Sequence, residues 1–92
     1  MRREAALGSL QQKVIDVMAL IGDASDNVPG APGIGKITAG RLIERWGSLD
    51  AVMISAMTGY TDRVLTPRIA KIIVDNWKQI VMSRELVRLD WQ

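Results

Sequence analysis

Two aspartates and two glycines in one loop are the residues of this sequence best suited to chemistry. The loop covers residues 22–35 and reads GDASDNVPGAPGIG. Asp23 and Asp26 stand three apart, a compact way to aim two hard oxygen ligands at a divalent cation such as Mg²⁺. Gly33 and Gly35 lead into an expected helix and, lacking Cβ atoms, can bring backbone N–H groups close to an anion at the positive end of the helix dipole. The loop therefore predicts a metal-binding half beside a phosphate-binding half.

Both halves also have a purely structural interpretation. Asp26 and Asn27 are typical of side-chain turns, and Asp23 could satisfy the end of a preceding helix. A Gly-x-Gly turn between two helices is weak evidence for phosphate binding when it stands alone. From the residues alone, both interpretations remain open.

The loop must be held by the helices on either side of it. Ser9 and Gln12 have the spacing of a capping box, which predicts a first helix over residues 10–21 that ends at Gly22. Its expected buried stripe, at i, i+3, i+4 and i+7, consists of Val14, Val17, Met18 and Ile21.

The second and third helices have clear boundaries. The second is expected over Lys36–Trp46 with Gly47 as its C-terminal stop, and Ser48 is expected to cap the third. Their apolar stripes are Ala39, Leu42, Ile43 and Trp46, and then Leu49, Val52, Met53, Ala56 and Met57. We expect Met18, Met53 and Met57 to fill the core.

A polar connection over Thr58–Leu65 precedes the fourth helix. Thr66 with Pro67 has the pattern of a cap followed by proline at the first helical position. The stripe Ile69, Ile72, Ile73, Trp77 and Ile80 predicts about four turns, the longest element, with Trp77 in the core like Trp46. Leu86, Leu89 and Trp91 fit either an extended tail or a further helical segment.

Composition limits the possible functions. With 92 residues, the chain is one domain at most, residues 1–92, and the pattern predicts an all-α fold of four helices with a helix-hairpin-helix motif around the loop. No cysteine or histidine is present, which excludes disulfides, histidine- or thiolate-ligated zinc and histidine-dependent triads, so any catalysis must rest on carboxylates and metal. No apolar run is long enough for a membrane span. No charged-then-apolar signal sequence is visible at the N-terminus, so we expect an intracellular, cytoplasmic protein.

The loop and its flanks closely resemble the C-terminal part of the 5′-nucleases. This family includes the 5′→3′ exonuclease domain of bacterial DNA polymerase I, stand-alone bacterial and phage exonucleases and, more distantly, flap endonucleases. The resemblance rests on GDASDNVPGAPGIG, Thr38-Ala39 and Trp46-Gly47-Ser48-Leu49. It extends upstream through Val14-Ile15-Asp16 and Ala19-Leu20-Ile21 and downstream to Ser83-Arg84-Glu85-Leu86-Val87.

The resemblance implies roles for the two aspartates. Asp23 and Asp26 match the positions of ligands in a Mg²⁺ or Mn²⁺ cluster that cleaves phosphodiesters. The family supplies the other carboxylates from an α/β domain N-terminal to this region, which this sequence lacks. The chain is thus expected to be a fragment that is inactive alone, although its parent would be a nuclease.

The resemblance also implies that the hairpin, in its helix-three-turn-helix form, holds duplex DNA by its backbone. The matching phosphate-binding positions are Gly33, Ile34, Gly35, Lys36, Thr38 and Arg41. In the family, loop carbonyls at positions matching Ala31 and Ile34 hold a K⁺ ion. Gly30 stands where some relatives have a hydroxyl group, which removes one oxygen ligand. Lys36 comes one position before the usual lysine and Ile37 takes that place, a rotation of about 100° on a helix.

The expected partners are duplex or flap DNA and the N-terminal nuclease domain of the same parent, with the chain a monomer. Arg41 and Arg45 are candidates for phosphate contact, or simply form a solvated helix face. Two other functions stay open: a free-standing helix-hairpin-helix DNA-binding protein, in which the aspartates are loop structure, and a helical protein-interaction domain. The net charge of +2 is too small to decide between them.

Overall fold

The protein is all-helical, as the sequence predicts. The computed structural model describes the backbone of residues 2–90 and the side chains of residues 10–90. These residues form one turn of 3₁₀ helix, Ala24–Asp26, and five α-helices rather than four: α1 Arg2–Ile21, α2 Lys36–Trp46, α3 Leu49–Thr58, α4 Pro67–Asp75 and α5 Trp77–Asp90.

Helix α1 is longer than expected, and the face that it buries differs from the predicted apolar stripe. It begins at Arg2, so the predicted start after a Ser9 cap was wrong; strong helix formers in Glu4–Leu7 favour continuation toward the N-terminus. The end at Gly22, with φ of 77°, is confirmed. The predicted stripe lies at the edge of the buried face, because Val14 is exposed and its other members are half-buried. The residues that are actually buried are Ile15, Asp16, Ala19 and Leu20.

A buried aspartate explains this rotation. Asp16 Oδ2 accepts a hydrogen bond of 2.9 Å from the backbone N–H of Leu49, in the first turn of α3. Gln12 donates to the other carboxylate oxygen at 2.9 Å. Asp16 therefore satisfies an amide at the positive end of α3, next to the predicted Ser48 cap, whose Oγ accepts from Ala51 N–H at 3.2 Å.

The predicted fourth helix is two helices. Its start is confirmed, because the Thr66 hydroxyl accepts from Ile69 N–H at 3.2 Å and Pro67 follows. Asn76 interrupts it with φ −122° and ψ 20°, and its side-chain amide bonds to the Ile72 carbonyl at 2.8 Å. Helix α5 then carries Leu86 and Leu89 as far as Asp90, so the tail is helical over the described residues; Trp91 lies outside them.

The core lies between α1 and its neighbours. Helix α1 packs against α5 and α2, and α3 packs against α2 and α4. Fully buried aliphatic side chains at the centre come from every helix: Leu20, Leu42, Ile43, Leu49, Val52, Ile73 and Ile80. Of the predicted core residues, Met53 is buried and Trp46 half-buried, whereas Met57 and Trp77 are exposed. No described helix has the length and apolar character needed to cross a bilayer.

Candidate nucleic-acid interface

The loop after α1 is closed by backbone hydrogen bonds. Asp23 N–H donates to the Val28 carbonyl at 2.7 Å, and Val28 N–H donates back to the Asp23 carbonyl at 2.8 Å. Between them the chain makes the 3₁₀ turn and then a left-handed residue, Asn27, with φ of 58°. This pairing holds Asp23 and Asp26 on a turn of defined shape.

Two glycines lie back to back at the base of this loop. Gly22 and Gly30 both have positive φ, 77° and 66°. A Cβ on Gly30 would lie 2.5 Å from Gly22 N, and one on Gly22 would lie 2.7 Å from the Val28 carbonyl oxygen. Position 30 of this fold thus has no room for any side chain, including one that bears a hydroxyl group.

Helix α5 holds the same glycine from the other side. Gly30 N–H donates to Ser83 Oγ at 2.9 Å, and Gln79 Nε2 donates to the Gly30 carbonyl at 2.7 Å. The Ser83 hydroxyl donates in turn to the Gln79 carbonyl at 2.8 Å. Ser83 is fully buried on the stripe of Ile80 and Val87. Sequence reasoning gave neither Ser83 nor Gln79 a role; a small polar residue on an apolar helix stripe was the available signal.

The structure places the two predicted metal ligands on one short turn, where their pKa values shift in opposite directions. Asp23 Oδ1 accepts hydrogen bonds from the Ser25 hydroxyl at 2.6 Å and from its N–H at 3.0 Å, which lower the pKa of Asp23. The pKa of Asp26, which is exposed, is raised by repulsion from Asp90 first and from Asp23 second.

These carboxylates fit part of a ligand set. Both are hard oxygen donors of the kind that Mg²⁺ and Mn²⁺ prefer. Over the described part of the chain, however, no group of three or more Asp, Glu, His or Cys side chains is placed to hold a metal ion. A metal at Asp23 and Asp26 would need further ligands from outside these residues.

The second half of the loop is a tight turn that ends at α2. Ile34 N–H donates to the Ala31 carbonyl at 3.2 Å, and both of these side chains are buried. Gly33 has φ of 91°, and a Cβ on it would touch Ile72 Cδ1 of α4 at 3.4 Å. Any contact that Ala31 or Ile34 makes with a ligand must therefore come from the backbone.

The first turn of α2 offers backbone N–H groups. The N-cap residue Gly35 has no side chain to accept a hydrogen bond, and the first intrahelical bond runs from Ala39 N–H to the Gly35 carbonyl at 2.9 Å. The amides of residues 36–38 therefore have no intrahelical acceptor, as in the first turn of any helix. Lys36 is exposed beside them, Thr38 is half-buried, and Arg41 is exposed one turn later.

Two other side chains of α2, Arg45 and Ile37, bear on phosphate binding. Arg45 forms an ion pair with Asp62 and lies over the Trp46 ring at 5.1 Å from its centroid, so it is engaged within the fold. Ile37, which takes the usual lysine place, is 74% exposed. Lys36, Arg41 and Arg45 are all exposed, but of these three only Arg45 is held in an ion pair among the described residues.

The sequence of the chain is similar to known proteins over most of its length. Residues 10–92 match the family described as "5'-3' exonuclease, C-terminal SAM fold". The chain is 40% identical over 78 residues to DNA polymerase I of Rhizobium leguminosarum, which covers 85% of the chain and 7% of that protein.

Two further relatives give the same result. Thermostable DNA polymerase I of Thermus aquaticus is 40% identical over 74 residues, 80% of the chain and 8% of that protein. DNA polymerase I of Bacillus subtilis (strain 168) is 32% identical over 82 residues, 89% of the chain and 9% of that protein. The chain thus spans less than a tenth of each of these relatives. No solved structure matches it.

Proposed function

Because this chain belongs to the family of 5′–3′ exonuclease C-terminal domains with the SAM fold, we propose that it is a DNA-binding module of a 5′→3′ exonuclease or flap endonuclease, or of a DNA polymerase I. It grips duplex DNA through the phosphate backbone, without reading sequence. The contacts come from the amides of Gly33 and Gly35, from the first turn of α2, and from Lys36, Thr38 and Arg41. The N–H of Ile34 is already bonded to the Ala31 carbonyl, so Ile34 contributes only its place in the turn and its carbonyl.

One observation carries this proposal: Gly35 is a glycine for which the described fold gives no steric reason. Its φ of −93° is available to any residue, and a Cβ there would meet no atom within 4 Å. Glycine is accepted at an N-cap, but side chains that accept hydrogen bonds are preferred there. A bare N-cap leaves the amides of α2 open to an anion that comes as close as the backbone allows.

We further propose that Asp23 and Asp26 bind Mg²⁺ or Mn²⁺ together with carboxylates of a nuclease domain elsewhere in the parent protein. Such an ion, when bound, activates water and stabilises charge on the phosphate oxygens. Within this chain, Ser25 keeps Asp23 ionised and oriented, while Asp26 is repelled by Asp90 and Asp23. A divalent cation would relieve that repulsion. Two carboxylates alone, without further ligands, would bind the cation weakly.

A K⁺ ion at the hairpin is the remaining part of the proposal. The Ala31 carbonyl accepts one hydrogen bond, from Ile34 N–H, and an oxygen with two lone pairs can still coordinate a cation. The Ile34 carbonyl would be the second ligand. With glycine at position 30, the ion would rely on backbone oxygens, water and a DNA phosphate.

The test of DNA binding compares two identical substitutions in the same region. Gly35→Ala adds a methyl group beside the free amides, whereas Gly40→Ala adds one inside α2, where nothing lies within 4 Å either. We expect fluorescence anisotropy with a labelled duplex to show weaker binding for Gly35→Ala and unchanged binding for Gly40→Ala, with both variants folded. Equal binding by both variants would contradict the proposed role of the hairpin.

The metal site needs a separate test. Added Mn²⁺ should broaden the NMR signals of residues 23–27 in the isolated chain at high metal concentration, and Asp23→Asn together with Asp26→Asn should abolish that effect. Calorimetry with Mg²⁺ that revealed a tight site in this chain alone would contradict the expectation that further ligands are required.

One feature favours a different function, that of a protein-interaction domain. A groove of about 370 Å³ lies between α1 and α2, with Leu10, Val14, Val17, Met18 and Ile43 in its lining. Leu10 and Val14 are exposed there. Self-association without salt-dependent DNA binding would favour this alternative.

A further inference from the structure

We propose that Arg68 of α4 is a second DNA-contacting element, which binds a phosphate next to the one held at the first turn of α2. This inference rests on the proposed function of the hairpin. It adds α4 to the DNA-binding surface and assigns a role to a residue that lies more than thirty positions after the hairpin.

The hairpin runs along α5 and α4 in a known order. Gly30 is held by Gln79 and Ser83 of α5, and Gly33 lies against Ile72 of α4, 3.4 Å from its Cδ1 to the position of a Cβ. From Gly30 to Gly33, the loop therefore passes from residues of α5 to a residue of α4. The turn of α4 that precedes Ile72 carries Arg68.

Arg68 and Ile72 are four residues apart and share one face of α4. Side chains at this spacing have Cβ atoms about 5–6 Å apart, and both lean toward the helix N-terminus. Ile72 Cδ1 lies 3.4 Å from where a Cβ of Gly33 would be, so the Arg68 side chain begins one helical turn from the part of α4 that lies beside the hairpin. Each DNA strand carries one phosphate per ~3.4 Å of helix axis, so a neighbouring phosphate is available at this separation.

The charge of Arg68 has no ion-pair partner among the residues whose side chains the structure describes. Its side chain is exposed, and none of the ion pairs among the described residues includes it. No acid occupies the positions three or four residues to either side on α4 and the chain before it. Lys71, on the same helix, is instead paired with Asp75 at 2.9 Å. A phosphate could therefore bind the Arg68 guanidinium without breaking any ion pair among the described side chains.

This contrast supplies a matched control. Arg68→Ala and Lys71→Ala each remove one positive charge from an exposed site on α4, so they change the net charge equally. Binding of each variant to a labelled duplex is measured by anisotropy across a KCl series. We expect Arg68→Ala to reduce the slope of log K against log salt by about 0.9, the value for one lost phosphate contact. Lys71→Ala should leave the slope close to that of the original chain, and Arg68→Lys should restore most of it.

The outcomes separate this inference from the one it rests on. Equal slopes for Arg68→Ala and Lys71→Ala, in a chain whose binding is weakened by Gly35→Ala, would overturn the role of Arg68 and leave the hairpin intact. A chain that does not bind duplex DNA, or whose binding ignores Gly35→Ala, would overturn the proposed function first. Melting temperatures measured alongside identify any variant that is simply unfolded.

Discussion

Replacing Gly30 by alanine should destabilise the domain strongly, because this residue has no space for a side chain. Its new Cβ would lie 2.5 Å from Gly22 N and 2.7 Å from the Ile21 carbonyl carbon. These are backbone atoms at the base of the loop, so they cannot move aside as a flexible side chain could. The alanine would also have to keep a φ of 66°.

The size of the effect follows from these two contributions. A left-handed conformation costs a non-glycine residue about 1–2 kcal/mol, and forcing an extra carbon into a packed site costs about 1–3 kcal/mol. The total loss is therefore about 2–5 kcal/mol in the free energy of unfolding. For a domain of this size each kcal/mol lowers Tm by roughly 4–8 °C, so the melting temperature should fall by at least about 8 °C.

The matched substitution Gly40→Ala should have the opposite sign. Gly40 lies inside α2, and a Cβ there would have open space around it. Alanine is the better helix former by about 1 kcal/mol, which predicts a Tm higher by roughly 4–8 °C.

Thermal and urea unfolding followed by circular dichroism measures both changes in one experiment. The two variants carry the same added methyl group, so the difference between them reports only on the two backbone environments. A Gly30→Ala variant as stable as the original chain would refute the described geometry of the loop base.

Two further predictions concern contacts that hold the loops. Ser83→Ala would leave the buried N–H of Gly30 without its acceptor and should lower the free energy of unfolding by about 1–3 kcal/mol in urea titrations; a change below the error of the measurement would contradict this role. Partial desolvation of Asp62 raises its pKa, but hydrogen bonds from the amides of Leu65 and Val64 and the ion pair with Arg45 outweigh it, so the pKa lies below its ordinary value of 3.8. Asp62 therefore contributes to stability above pH 3.8. That contribution is lost as the pH falls through the pKa of the folded state. Carboxyl NMR titration should show this low pKa, and Arg45→Met should move it back up; an ordinary pKa in the original chain would contradict the contact.

Much of the fold could be predicted because its signals are local. Gly22 and Gly47 end helices with the positive φ that their glycines allow, and Ser48 and Thr66 cap helices through amides three residues ahead. Such contacts depend on short segments, which sequence patterns describe well.

The sequence-based predictions were wrong where contacts between residues far apart in the chain override the local pattern. Asp16 interrupts an apolar stripe, yet it is buried because it caps a helix that begins 33 residues later. Ser83 contacts Gly30 across 53 residues. No spacing rule links these pairs, so the buried face of α1 and the support of the loop became visible only in three dimensions.

The helix break at Asn76 has a different origin. The apolar period of Ile69, Ile73 and Ile80 continues through it, so periodicity alone predicts one helix. Asparagine side chains compete with the backbone for hydrogen bonds, and here the Asn76 side-chain amide donates to the Ile72 carbonyl. After the break, Trp77 lies outside the core and is 42% exposed.

Titration of the ¹⁵N-labelled chain with a short duplex, followed by amide NMR, tests the central claim most directly. If the hairpin holds the DNA backbone, the largest shifts should appear at Gly33–Gly35, at the first-turn amides of residues 36–38 and around Arg68, and they should weaken as KCl is raised. Shifts confined to the groove between α1 and α2, or no shifts at all, would contradict the account of this domain as a DNA-binding module.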